Sequence, residues 1–144
     1  MKNIGQLIKQ ISNILINDMN KGLNDYDLTF SQLQVLLTIK ESANSICQKD
    51  LAEKLKVRHT TLIDILKILA RKELIRKNTS KINAKYTEIN LTYKGIETLQ
   101  KMDIGKDKTE EMIAKTLGFM SVEEMIHKFD EVLKKLEEGL QYED

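Results

Sequence analysis

The sequence predicts a mainly α-helical fold, a winged helix-turn-helix with N- and C-terminal dimerisation helices, and three features carry that prediction. Apolar residues recur at three- and four-residue steps through most of the chain. The period drops to two in one stretch, around Thr87, Ile89 and Leu91. Just before it two short helical stretches follow one another. The second, "VRHTTLIDILKIL" over residues 57–69, opens on a polar, basic turn that a core helix has no use for.

Ile4, Leu7, Ile8, Ile11, Leu15 and Met19 form a stripe on a first helix that ends near Gly22. Thr29 with Gln32 reads as a capping box opening a second helix through about Glu41, with Leu33, Leu36 and Leu37 inward. A third, from Gln48 to about Lys56, buries Leu51, Ala52 and Leu55, and the fourth buries Leu62, Ile65, Leu66 and Leu69. After Glu73, Thr87, Ile89 and Leu91 alternate with Tyr86, Glu88 and Asn90 as in a half-buried strand. Leu74 to Lys77 can pair with it, and Asn78 to Lys85 form the hairpin tip. Thr92 then caps a long helix to about Leu117, stopped by Gly118. Ser121 with Glu124 opens a last helix whose stripe is Val122, Met125, Ile126, Phe129, Val132, Leu133, Leu136 and Leu140. The expected organisation of residues 1–144 is a winged lobe over 29–92 and a helical dimerisation lobe from 1–22 and 93–144.

A hydrophobic content of 41% in 144 residues can build a core without disulfide or metal. The one cysteine, Cys47, excludes an internal disulfide and, with no secretory signal, points to a reducing, cytoplasmic setting. No apolar run approaches the roughly 18 residues of a membrane span, so no membrane partner is expected. The net charge of +1 conceals a segregation. Residues 48–86 hold eight Lys and three Arg against two Asp and two Glu, a net of +7, while the rest holds twelve basic against eighteen acidic residues, a net of −6. A basic centre between acidic arms suits a module that meets double-stranded DNA.

Pointing the first turn of the fourth helix into a major groove explains its composition. Arg58 and His59 would lie near phosphates or base edges, with Thr60 and Thr61 in reach of both. Thr methyls and Ile63 could meet a thymine methyl, and Lys67 and Arg71 stand further along for backbone phosphate. Asp64 either accepts from cytosine N4 or repels phosphate. Lys77, Lys81 and Lys85 of the hairpin complete the set.

The chain resembles the MarR family of transcription regulators. "LTFSQLQVLLTI" is similar to that family's second helix, "QKDLAEKLKV" to its third, "ILARKELIRK" to the end of its recognition helix and the start of its wing, and "INLTYKG" to its strand-to-helix exit. The resemblance spans nearly the whole chain. It implies a homodimer, a long fifth helix linking the two lobes, and repression relieved by a small ligand or by oxidation. MarR-like wings carry Asp-x-Arg where this chain has Asn83, Ala84 and Lys85, and that Arg enters the minor groove. Lys fits a narrow groove less well than a planar guanidinium, so the wing is expected to supply affinity more than specificity. Arg58 also stands where relatives often have a small capping residue.

A chain of this size can bury both terminal stripes by pairing with a copy of itself, through Ile4, Leu7, Ile8 and Ile11 at one end and Met125, Phe129, Val132, Leu136 and Leu140 at the other. A twofold dimer presents two recognition helices about 34 Å apart, matching a pseudo-palindromic site. The alternative packing is a bundle core within one chain. Glu123, Glu124, Asp130, Glu131, Glu137 and Glu138 keep the last helix from DNA.

Cys47 falls at the start of the third helix, where it reads as a small capping residue rather than a redox sensor. Glu123 and His127 lie four apart, but two ligands without a third make no metal site, and no cofactor is expected. One Cys, two His and no phosphate loop offer no catalytic constellation, so the chain is not expected to be an enzyme. The resemblance places a small-molecule effector at the junction of the lobes; Tyr26, Phe30, Met102 and Met112 are candidates for its pocket, or simply core. The sequence thus predicts a dimeric repressor. The competing class is a helical interaction protein that grips a partner and never touches DNA.

Overall fold

A computed structural model describes residues 2–102 and 107–141. The fold is mainly α-helical with a small winged sheet, as the periodicity predicts. Its helices are α1 (Ile4–Leu23), α2 (Phe30–Glu41), α3 (Gln48–Leu55), α4 (His59–Arg71), α5 (Tyr93–Lys101), α6 (Lys108–Leu117) and α7 (Val122–Gln141). Strands β1 (Ser45–Cys47), β2 (Ile75–Thr79) and β3 (Thr87–Leu91) form an antiparallel sheet in the order β1-β3-β2. The chain divides into two compact units, Met1–Met102 and Asp103–Asp144.

The core of the first unit is assembled from one face of each element. Leu33, Leu36 and Ile39 of α2, Leu51 of α3, Leu62, Leu66 and Leu69 of α4 and Ile89 of β3 are all fully buried. Each such side chain contributes about 1.5–3 kcal/mol relative to an exposed position. Those three leucines, spaced four and three apart, fix how α4 is rotated. Its far end is tied down as well. The Lys72 ammonium donates to the Asp27 carbonyl and lies 3.5 Å from the Asp27 carboxylate and 3.4 Å from Gln32 Oε1. Gln32 is itself in the capping box: Thr29 Oγ1 accepts from the Gln32 N–H at 3.3 Å, and Gln32 Oε1 accepts from the Thr29 N–H at 3.1 Å.

The turn from α3 to α4 uses no glycine. Lys56 takes the left-handed conformation (φ 55°), and its N–H returns to the carbonyls of Ala52 and Glu53. Glu73 does the same after α4 (φ 62°) and launches β2. The wing register pairs Ile75 with Leu91, Lys77 with Ile89 and Thr79 with Thr87. Thr87, expected to face inward, is exposed because it lies at the outer end of β3, beyond the core. β3 then meets α5 at a close contact. Thr92 donates from Oγ1 to the Glu73 carbonyl at 2.6 Å and from its N–H to the Leu74 carbonyl at 3.1 Å. It also caps α5 by accepting from the Gly95 N–H at 3.0 Å.

Two features depart from the sequence prediction. Strand β1 was not expected; three residues are too short to display a period, and it exists by pairing Ser45 with Asn90 and Cys47 with Glu88, far along the chain. The Ser45 hydroxyl reinforces this by donating to Glu88 Oε1 at 2.6 Å. The long helix expected from Thr92 to Leu117 is two helices among the described residues. Met102 has an extended backbone (φ −77°, ψ 130°), and Asp107 caps a new helix through Oδ1 on the Thr109 N–H at 2.9 Å. Residues 103–106 of the expected helix lie outside the described residues. The apolar period continues on both sides of the break, so periodicity alone missed it; Gly105 and the capping Asp107 were the available signals.

In the second unit Gly118, at φ 87°, ends α6 as expected. Ser121 Oγ accepts from the Glu124 N–H at 3.1 Å, but the Glu124 carboxylate accepts from Met120 rather than Ser121, at 2.9 Å. The box therefore closes one residue earlier than the capping pattern predicts.

A Cβ at Gly95 would fall 2.3 Å from the Leu74 carbonyl oxygen, a backbone atom that cannot swing aside. Gly95→Ala is expected to lower stability in urea unfolding by about 1–3 kcal/mol. Gly22→Ala, where a Cβ meets nothing within 4 Å, should be neutral or raise it by up to about 1 kcal/mol.

Candidate nucleic-acid interface

With Leu62, Leu66 and Leu69 turned inward, α4 shows Thr60, Thr61, Asp64, Lys67 and Arg71 on its opposite, exposed face. Ile63 is half-buried at the edge of that face, and Arg58 and His59 are exposed at its start. Arg58 occupies the N-cap in extended backbone (φ −68°, ψ 147°) and supplies no capping oxygen. The first-turn N–H groups are thus left as outward donors at the positive end of the helix, an arrangement that favours phosphate.

Lys77 projects from β2, and Lys81 and Lys85 from the wing tip; all three are exposed. Among the described residues the ion pairs are formed by Lys72, Lys101, Lys128, Lys134 and Lys135. None involves Arg58, Lys67, Arg71, Lys77, Lys81 or Lys85, and Asp64 also has no cationic partner. The α4 face thus brings Arg58, His59, Thr60, Thr61, Asp64, Lys67 and Arg71 together on one surface, uncommitted to the fold. Two further cations belong with this set. Lys56 is exposed in the turn before α4 and Arg76 is exposed on β2. Both were inside the +7 segment, but no motif pointed to them.

The other candidates are placed as follows. Cys47 is half-buried at the N-cap of α3 and makes no side-chain capping bond. Glu123 and His127 are exposed on α7, and among the described residues no group of three or more His, Cys, Asp and Glu could hold a metal. Among the described residues no helix is long and apolar enough to cross a membrane. Tyr26 donates its hydroxyl to the Lys101 carbonyl at 3.2 Å, Phe30 and Met102 pack on the first unit's core, and Met112 is exposed on α6. A surface crevice of about 530 Å³ opens elsewhere, between Arg76 of β2 and Tyr93 and Lys94 of α5. On α1, Ile4, Leu7, Ile8 and Ile11 are exposed; on α7, Phe129, Val132, Leu136 and Leu140 are exposed while Met125 is buried.

The MarR family model matches residues 28–86, from the approach to α2 through the wing tip. This winged lobe belongs to the MarR family. Solved structures extend the likeness of fold beyond the lobe. The S. aureus MepR–DNA complex is 23% identical, with a TM-score of 0.78 over 94% of this chain and 99% of that one. The E. coli MarR C80S mutant with operator DNA is 21% identical, with a TM-score of 0.75 over 92% of both chains. The transcriptional regulator PA4135 is 20% identical, with a TM-score of 0.76 over 96% of this chain and 98% of that one. No curated protein matches the sequence.

Because Arg58, Lys67 and Lys85 make no ion pair among the described residues, removing them should leave the MarR-type lobe intact. Arg58→Ala, Lys67→Ala and Lys85→Ala are each expected to shift unfolding free energy by no more than about 0.5 kcal/mol, measured by urea titration followed by circular dichroism.

Proposed function

We propose that the protein is a sequence-reading DNA-binding transcription regulator that works as a homodimer in the cytoplasm. In this reading it represses from a pseudo-palindromic operator and is released by a small ligand. One observation carries it: the outward face of α4 and the wing present cations with no partner in the fold, on a lobe of the MarR family. Uncommitted cations and an uncapped helix start hold no stability in place, so their accumulation here finds its use in a polyanion. Arg58 then serves guanine or phosphate, Thr60 and Thr61 the adjoining base edges, and Lys67, Arg71, Lys77, Lys81 and Lys85 the backbone. Asp64 contributes selectivity rather than affinity, since a carboxylate repels every phosphate but rewards a cytosine amino group. MepR and E. coli MarR, whose fold this chain shares, have been crystallised with DNA, which adds support.

The dimer rests on the exposed stripes of α1 and α7, which a second copy would cover. Sedimentation should therefore give a dimer at micromolar concentration. Phe129→Glu, which places a charge in the α7 stripe, should shift it to monomer.

Fluorescence anisotropy against duplexes from the gene's own upstream region tests the DNA reading. Selective binding should weaken by orders of magnitude between low and physiological salt. Arg58→Ala should cost about 1–3 kcal/mol on the selected duplex, and Lys85→Ala should weaken all duplexes alike and reduce the salt slope by about one. Equal, weak binding to every duplex, unchanged by Arg58→Ala, would instead support the helical interaction protein.

A further inference from the structure

The wing tip spends its polar side chains on itself. Ser80 Oγ accepts from the N–H groups of Ile82 at 3.3 Å and Asn83 at 3.4 Å, and Asn83 Oδ1 accepts from the Lys85 N–H at 3.0 Å. Backbone bonds from Ser80 to the Tyr86 carbonyl (2.9 Å) and from Tyr86 to the Asn83 carbonyl (3.0 Å) close the loop. The Asn83 side-chain oxygen is therefore occupied within the loop. What the closed tip offers is Lys81, Ile82 and Lys85, and Ile82 is 97% exposed, the most exposed large apolar side chain among the described residues.

We propose that Ile82 is an apolar wedge that the wing inserts between base pairs of the minor groove, with Lys81 and Lys85 on the adjoining phosphates. The proposal rests on the DNA-binding reading above and adds a second means of selection to it. An isoleucine held out on a closed hairpin gains nothing from the chain. Base faces give it apolar surface once a step is unstacked, and branched aliphatic side chains flanked by cations are suited to that insertion. Unstacking costs a few kcal/mol and is easiest at pyrimidine–purine steps, so the wedge selects TA and CA/TG steps through their deformability. Lys85 cannot provide such selection alone, because an ammonium is a point charge with no planar fork. A protein partner is the less suitable occupant. It needs a contiguous apolar patch, and the immediate neighbours of Ile82 in the chain are Lys81 and Asn83.

The test is selection from a pool of randomised duplexes by the full-length parent, Ile82→Asn and Ile82→Leu, with bending read by energy transfer between labels at the duplex ends. The parent and Ile82→Leu are expected to enrich a pyrimidine–purine step beside each half-site and to bend the selected duplex. Ile82→Asn should keep the half-site and the salt slope, lose the bend, and lose about tenfold of its preference for the flexible step. If Ile82→Asn bends and selects the step as the parent does, or if the parent selects a half-site with no flanking step, the wedge is overturned and the regulator reading stands. If the parent enriches no sequence, both fall.

Discussion

The first unit depends on one close contact, where the backbone of α5 at Gly95 lies against the Leu74 carbonyl. Four elements meet there. Thr92 follows β3, caps α5 and donates to the carbonyls of Glu73 and Leu74, which lie in the turn from α4 to β2. The end of β3 and the start of α5 are thereby fixed to the α4–β2 turn by the short bonds of Thr92 rather than by long, adjustable side chains. Any side chain at residue 95 would separate them. The left-handed Glu73 turn completes the junction by reversing the chain within a few residues of the last buried leucine of α4.

A division of charge follows from this rigid frame. Cations that serve the fold are committed: Lys72 fastens the end of α4 to Asp27 and Gln32, and Lys94 donates to the Lys72 carbonyl at 3.0 Å. Cations on the outer face of α4 and the wing have no such role. Exposed pairs contribute little to stability in any case, so leaving these side chains unpaired costs the fold almost nothing. It also spares a polyanionic ligand the cost of breaking an existing pair.

Helices α2, α3 and α4, the β2–β3 hairpin and the caps at Thr29 and Thr92 were legible in the sequence: the elements are set by local spacing, and each of the two caps is a side chain bonding within four residues. The polar start of α4 was legible for the same reason: a periodic stripe fixes which residues face out. Strand β1 was not, since its three residues acquire an extended partner only when β3 is in place. The interruption after Met102 was hidden because apolar residues recur at helical spacing on both sides of it. The exposed Ile82 looked like any isoleucine near a strand, and only the closed loop around Ser80 and Asn83 sets it apart.

The sequence by itself determined the class of this protein: the helical periods, the single hairpin, the basic segment between acidic arms and the side chains on the outer face of α4. Those are properties of neighbours along the chain, governed by helix and strand geometry. The tertiary structure decided which of those side chains are free. Lys72 and Lys67 both lie in the basic segment, yet Lys72 is held by Asp27 and Gln32 and Lys67 faces solvent without an ion-pair partner. The closeness of Gly95 to Leu74, the pairing of β1 with β3 and the presentation of Ile82 were likewise decided there, because contacts between residues distant in sequence depend on how the elements pack rather than on local spacing.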